Sequence, residues 1–269
     1  MEHKYASDCH THSICSPDGK NTPGEMAAQA VHLGLYAYTL TDHCECHEYW
    51  ETYRQRTEQA WQAMEKLETG EIRLLRGVEL GQPLQDLTAA EEVVNRFPYD
   101  FVIGSLHNLA DEKDFYYIDY TKMSDGQIAQ KLNAYWEELL EMIDWGSFDA
   151  LGHLTYPLRY IQGEQGVSVD LAQHQGKIDE ILAALVEKEI ALELNTSGLR
   201  QKLGETMPSL ALLRRYHALG GRLVTLGSDA HQTADLGKGI DPCMELLKEA
   251  GFTEFTVYEQ RKPVQLPLA

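Results

Sequence analysis

The stretch Asp8-Cys9-His10-Thr11-His12-Ser13 follows a short extended run, Lys4-Tyr5-Ala6-Ser7, near the start of the chain. Residues two apart on a strand share a face and lie about 6–7 Å apart along it. His10 and His12 therefore point the same way, a spacing that lets two imidazoles grip one cation. Pairs of this kind also arise by chance. This one gains weight from the far end of the chain. There Gly227-Ser228-Asp229-Ala230-His231 again closes an apolar run with ligand-type residues two apart.

Working inward, the same grammar repeats. The run Tyr36-Ala37-Tyr38-Thr39-Leu40-Thr41 ends in Asp42-His43, and an apolar segment over 72–78 ends in Glu79. A segment over 100–106 ends in His107, and one over 148–151 ends in Gly152-His153. The segment 190–194 leads into Asn195-Thr196-Ser197, and 222–226 leads into the Asp229/His231 pair. Helical patterns separate these strands. Pro23 starts one over 24–33, which Gly34 stops. Others are expected over 48–68, 88–95, 125–144, 171–188, 208–219 and 242–250. In the 125–144 segment Ile128, Leu132, Tyr135, Trp136, Leu139, Leu140 and Ile143 recur at helical spacing and read as core. Residues 155–169 read as loop, 108–122 as a long acidic loop rich in aromatics, and 255–257 as an extended tail.

Strand, loop and helix repeated seven times predict parallel βαβ units. No linker or internal repeat divides residues 1–269, so one α/β domain with a closed or nearly closed parallel barrel is expected. An open doubly wound sheet would hold the first and last strands apart; a barrel makes them neighbours. The ligand-type residues fall just after the strands, at the C-terminal rim where barrel active sites form.

The composition agrees with a globular protein, 43% hydrophobic and 24% charged. A net charge of -19 argues against a nucleic-acid or anionic-membrane surface. It is compatible with a phosphorylated substrate, because bound divalent cations reverse the local sign. The N-terminal sequence has no signal-peptide core and no run reaches membrane-span length, so a cytoplasmic location is expected. Five scattered cysteines, Cys9, Cys15, Cys44, Cys46 and Cys243, do not form a disulfide framework. No heptad pattern or interface helix marks an oligomeric state.

The rim set is His10, His12, Asp18, His43, Glu79, His107, His153, Asp229 and His231. Each alone has an ordinary structural role open to it. Together they bring His, Asp or Glu from every expected strand but the sixth to one rim, and metal binding follows. Nine donors exceed one tetrahedral ion, which takes about four, and suffice for two or three divalent ions if a carboxylate bridges. Imidazole with carboxylate suits zinc, iron or manganese. Such sites ionise a bridging water to hydroxide and clamp an in-line displacement at phosphorus.

Taken in order, Asp8–Ser13, Thr41-Asp42-His43, Gly77-Val78-Glu79, Ser105-Leu106-His107, Gly152-His153, Glu193-Leu194-Asn195-Thr196-Ser197-Gly198 and Gly227–His231 resemble the polymerase-and-histidinol-phosphatase (PHP) metallohydrolases. Within them the likeness is to the stand-alone histidinol-phosphatase type, and it covers nearly the whole chain. The resemblance implies a distorted seven-stranded βα barrel of the TIM type with a trinuclear centre. It implies that His10, His12, Glu79 and Asp229 hold a first metal, and that Glu79 bridges to a second held by His107 and His153. Asp18, His43 and His231 would hold the third. Asp18 stands where other branches carry histidine, which hardens that site and favours manganese or iron over zinc. Asp42 is expected to orient an imidazole rather than bind metal.

Arg159 and Arg200 match places where histidinol-phosphatase-type sequences carry arginine, and a guanidinium takes two phosphate oxygens at once. The reaction implied is hydrolysis of a small phosphate ester, L-histidinol phosphate, with Glu79, Asp229 and His231 as the catalytic set. A PHP phosphoesterase acting on nucleotides or other esters is the nearest alternative, and a metal-binding regulatory module the non-enzymatic one. The 108–122 loop has the length and position of a lid. Its acids and aromatics suit a cationic, imidazole-bearing substrate.

Overall fold

The computed structural model describes residues 1–67, 70 and 72–268. Its centre is a parallel sheet in the order β1 (Ser7–Asp8), β2 (Ala37–Leu40), β4 (Arg73–Gly81), β5 (Phe101–Ser105), β6 (Ala150–Leu151), β7 (Ala191–Asn195) and β8 (Val224–Gly227). β3 (His43–Glu45) continues the line of β2 after a break at Thr41 and Asp42, and pairs with β4 so that His43 faces Glu79. The sheet closes on itself. Cys9 N–H donates to Leu226 O at 2.8 Å, and Thr11 pairs with Ala230 in parallel. The result is a nearly closed seven-stranded βα barrel, with the first and last strands adjacent as the repeated pattern requires.

The helices lie outside this barrel. They are α1 (Pro23–Leu33), α2 (Arg54–Met64), α3 (Leu87–Arg96), α4 (Asp125–Trp145), α5 (Tyr156–Leu158), α6 (Gln175–Glu187), α7 (Leu210–Ala218) and α8 (Ile240–Ala250). Their ends follow local chemistry. Thr22 and Glu25 form a capping box around Pro23, and Gly34 closes α1 at φ 67°. Ser124 and Gln127 do the same for α4, which buries Ile128, Leu132, Tyr135, Trp136, Leu139 and Ile143. Each such side chain contributes about 1.5–3 kcal/mol on burial. No described helix is long and apolar enough to cross a membrane.

Four local expectations change. The helix expected over 48–68 opens as a 3₁₀ turn (Cys46–Glu48) and a π turn (Tyr49–Tyr53) before α2; its expected last residue, Glu68, lies outside the described residues. Residues 155–169, read as loop, hold α5 and a π turn over Arg159–Glu164, which aims Arg159 inward. The tail is a hairpin, β9 (Glu254–Glu259) and β10 (Lys262–Pro267), turning at Gln260 and Arg261 with φ 53° and 63°. That turn normally recruits Asn or Gly, so its sequence carries no signal. The hairpin braces the N-terminal end of the strands: Arg261 donates to Asp149 Oδ2 at 2.5 Å and Tyr258 to Asp149 O at 3.0 Å. Finally, β4 runs through Glu79 to Gly81, so Glu79 lies within its strand.

Candidate metal centre

All nine expected donors converge at the C-terminal ends of the strands. β1 carries the chain into His10 and His12, both fully buried. Their Nε2 atoms lie 3.1 Å apart. His10 Nε2 is 3.5 Å from Glu79 Oε2 and 3.9 Å from Asp229 Oδ1. His12 Nε2 is 3.6 Å from the same Glu79 oxygen and 3.5 Å from the same Asp229 oxygen. Four donors around one ion at about 2.0–2.2 Å stand roughly 3.3–3.6 Å apart, so these separations outline a single cation position.

Glu79 Oε1 faces a different set. It lies 2.9 Å from His153 Nε2 and 3.3 Å from His107 Nε2, which are themselves 3.4 Å apart. The two oxygens of one buried carboxylate thus serve two groups. A third group lies nearer solvent. His43 Nε2 and His231 Nε2 are 3.4 Å apart, with Asp18 Oδ1 3.7 Å from the first and Oδ2 3.1 Å from the second.

The donor chemistry fits cations better than internal hydrogen bonds. His43 Nδ1 and Glu79 Oε2 lie 2.6 Å apart as a buried imidazole–carboxylate pair, but the other contacts of Glu79 with imidazoles are longer. Around His10 and His12 the nitrogens and carboxylate oxygens stand 3.1 to 3.9 Å apart, the spacing of donors that share a divalent ion rather than a proton. The electrostatics agree. Burial pushes Glu79 toward the neutral form, but His10, His43 and His107 override it and hold the carboxyl well below its usual range. Burial likewise opposes Asp229, and Arg159 with His12 and His10 holds it well below. In return, His43 is pushed up to about 9, with Glu79, Asp18 and Glu45 overcoming its burial. His12 goes the other way, lowered by burial and then by His231 and His43. Without an ion, protons on some imidazoles balance the carboxylates.

Two site residues carry backbone strain. Asp229 sits at φ 54° and His153 at φ 22°, conformations that non-glycine residues seldom adopt and that cluster at functional sites. Asp229 Oδ1 turns to the histidines, while Oδ2 accepts from Arg159 Nη2 at 2.7 Å and from Ser197 Oγ at 3.2 Å.

The centre forms the floor of a cavity of about 690 Å³. Asp18, His43, His107, His153, Asp229 and His231 line its base, and Arg159 its wall. Glu48, Glu112, Asp114, Tyr117 and Tyr160 also line it, while Glu45 and Tyr156 lie against His107 at its base. The 108–122 loop is tied down by the buried Phe115 and Tyr120 and by Gln165, whose side chain bonds Tyr120 N at 2.7 Å and Ile118 O at 2.7 Å. Arg159 is buried against Tyr156 and Tyr160, and its Nε has no hydrogen-bond partner. Arg200 is not among the lining residues. Its Nη2 donates to Ser228 O at 2.8 Å, and its Nη1 has no hydrogen-bond partner.

Three carboxylates near the centre act differently from the sequence reading. Asp42 touches no imidazole through a hydrogen bond. It accepts from Ser13 N (2.7 Å), Ser13 Oγ (2.8 Å) and Ser16 Oγ (2.7 Å), and so shapes the loop that carries His12 and Asp18. The sixth barrel strand, expected to deliver no His, Asp or Glu, delivers Glu193, whose Oε1 lies 2.6 Å from His10 Nδ1. Glu45 lies 3.1 Å from His107 Nδ1. Glu193 stands inside its strand rather than after it, and Glu45 lies in a three-residue strand with no periodic signal, so the strand-end rule passes over both.

A seven-stranded βα barrel with histidine–carboxylate groups along one rim defines a class of barrel proteins equipped for metal-dependent chemistry. Within it, the chain belongs to the PHP domain family, whose model matches residues 8–197. A probable histidinol-phosphatase of Thermotoga maritima is 31% identical over 261 residues, 97% of this chain and 99% of the relative. The histidinol-phosphatase of Lactococcus lactis subsp. lactis is 28% identical over 95% of both chains. A crystal structure of histidinol phosphate phosphatase from the same species, complexed with zinc, L-histidinol and phosphate, superposes with a TM-score of 0.76 at 26% identity. It covers 97% of this chain and 99% of that one.

Proposed function

We propose that residues 1–269 form one domain that hydrolyses a small phosphomonoester, L-histidinol phosphate, to L-histidinol and inorganic phosphate. The observation that carries this is the division of Glu79. One oxygen belongs to the His10/His12/Asp229 group and the other to the His107/His153 group, beneath a cavity that Asp229, His107 and His153 line and that carries a buried arginine on its wall. Relatives named as histidinol-phosphatases, and a similar structure holding zinc, L-histidinol and phosphate, support the choice of substrate.

By these distances His10, His12, Glu79 and Asp229 would hold one divalent ion; Glu79, His107 and His153 a second; Asp18, His43 and His231 a third. Imidazole with carboxylate accepts zinc, manganese or iron, and the Asp18 oxygen makes the third position the hardest. When bound, the ions supply Lewis acidity at the phosphoryl group and an acidified water as nucleophile. The protein does the rest. Arg159, fixed by Asp229 and flanked by two tyrosines, holds a positive charge on the cavity wall for a phosphoryl group. Arg200, standing off the cavity, braces the Ser228 carbonyl beside Asp229 and so supports the site without meeting the anion. His231 and Asp229 line the reacting region. Asp229, held as a carboxylate beside Arg159, has no proton to give, so the leaving alkoxide would take its proton from His231 or from a water. The acidic, aromatic outer wall suits the ammonium and imidazole of the substrate. A cytoplasmic location belongs to the same proposal: all five cysteines are buried and free, as suits a reducing compartment.

The test is phosphate release by metal-replete protein from histidinol phosphate and from a panel of sugar, nucleotide and aryl phosphates. Histidinol phosphate should lead in kcat/KM by at least about tenfold, the discrimination a few specific polar contacts provide. A nucleotide or sugar phosphate at the head of the panel would overturn the substrate, and no phosphate release from any ester would overturn the activity.

A further inference from the structure

Two buried carboxylates stand just outside the three donor groups. Glu193 on β7 is 1% exposed. Its Oε1 accepts from His10 Nδ1–H at 2.6 Å. Its Oε2 accepts from the backbone N–H of the strained His153 at 2.7 Å and from Asn195 Nδ2 at 3.2 Å. One carboxylate therefore touches a histidine of the first group and the backbone of a histidine of the second. Glu45, at the end of β3, accepts from His107 Nδ1–H at 3.1 Å through Oε1, and its Oε2 has no hydrogen-bond partner.

Each carboxylate also lies over a glycine. A Cβ on Gly227 would collide with Glu193 and with His10. A Cβ on Gly81 would collide with the carboxylate of Glu45. The barrel leaves out a side chain at both places, and an acid–imidazole pair fills the space. An Nδ1–H bound to a carboxylate sets the tautomer and leaves the Nε2 lone pair free. In both cases Nε2 is the atom that faces Glu79, at 3.5 Å for His10 and 3.3 Å for His107.

We propose that Glu193 and Glu45 are positioning residues: Glu193 fixes His10 and Glu45 fixes His107, each with Nε2 turned toward Glu79. This rests on the metal centre proposed above. The two acids differ in a way that can be tested. Both Glu193 oxygens accept hydrogen bonds, so an amide at that place sets an N–H against a donor. Only one Glu45 oxygen does, so an amide there keeps the bond to His107.

The experiment is Zn²⁺ titration against a chelator, with ion counting after dialysis, on wild-type protein, Glu45→Ala, Glu45→Gln, Glu193→Ala and Glu193→Gln. Far-UV circular dichroism is recorded alongside. Glu45→Ala should weaken one ion about 10–100-fold, the range for loss of an outer partner of a ligating histidine. Glu45→Gln should restore most of that affinity. Glu193→Gln should remain as weak as Glu193→Ala. Wild-type affinity in folded Glu45→Ala, or Glu45→Gln as weak as Glu45→Ala, would overturn the proposal even if the Glu193 variants fail to fold. Wild-type protein that binds no Zn²⁺ would overturn the metal reading and this one with it.

Discussion

The backbone N–H of Asp229 donates to the carbonyl of His10 at 2.8 Å, across 219 positions of sequence. That bond belongs to the seam where the last barrel strand meets the first. Asp8 reinforces it by accepting from Ser228 N and Gly237 N, both at 2.8 Å. Donors from the two ends of the chain enter one group because the barrel closes there.

Glu79→Gln tests the bridging carboxylate. An amide offers one oxygen where two are used, so two donor groups lose a charged member. Zinc content should fall, and kcat should drop by at least about 100-fold, since several kcal/mol of charge stabilisation is at stake. Ion counting and steady-state kinetics on one preparation measure both. Full zinc content with near-wild-type turnover would remove Glu79 from the centre.

Arg159→Lys separates charge from geometry. Lysine keeps the positive charge but not the planar guanidinium whose Nη2 donates to both Asp229 Oδ2 and Ser197 Oγ. A drop in kcat/KM on the order of 10–100-fold is expected, matching one or two charge-assisted hydrogen bonds of about 1.5–3 kcal/mol. Equal kinetics for the two proteins would mean that Arg159 meets the phosphate only as a point charge.

Gly227→Ala tests the packing beneath the seam. The new methyl would meet Glu193 and the Cβ of His10, neither of which has room to retreat. Overpacking of this kind costs about 1–3 kcal/mol. A thermal melt should record a lower Tm, and zinc affinity should fall with it because His10 is displaced. A wild-type Tm would show that this part of the barrel yields.

Metal uptake should release protons. In the metal-free protein His43 is protonated up to about pH 9, held there by Glu79, Asp18 and Glu45. It must lose that proton to become a ligand, as must His10 and His107, where neighbouring carboxylates also override burial and favour the protonated form. Apparent zinc affinity should therefore rise with pH across the neutral range. Calorimetric titrations in buffers of different ionisation enthalpy count the protons released. A buffer-independent heat at pH 7 would contradict the assignment.

How far the chain could be read without its fold is clearest at particular residues. His43, His107, His153, Asp229 and His231 were legible because each follows an apolar run, and His10 and His12 because they stand two apart after a short extended run; in a parallel barrel those positions are the functional rim. Glu193 and Glu45 were not, since one lies inside a strand and the other in a short strand that local periodicity does not mark. The terminal hairpin was hidden because Gln260 and Arg261 occupy turn positions that usually announce themselves with glycine or asparagine.

The sequence by itself determined the alternation of strands and helices, the parallel barrel and the list of rim donors, because side-chain periodicity and chain direction are local properties. Only the tertiary structure decided how those donors divide. That Glu79 faces two groups at once, that Asp229 gives one oxygen to histidines and the other to Arg159, and that Arg200 stands off the cavity all depend on rotamers and backbone strain. These are set by contacts between residues far apart in the chain, which no local pattern records.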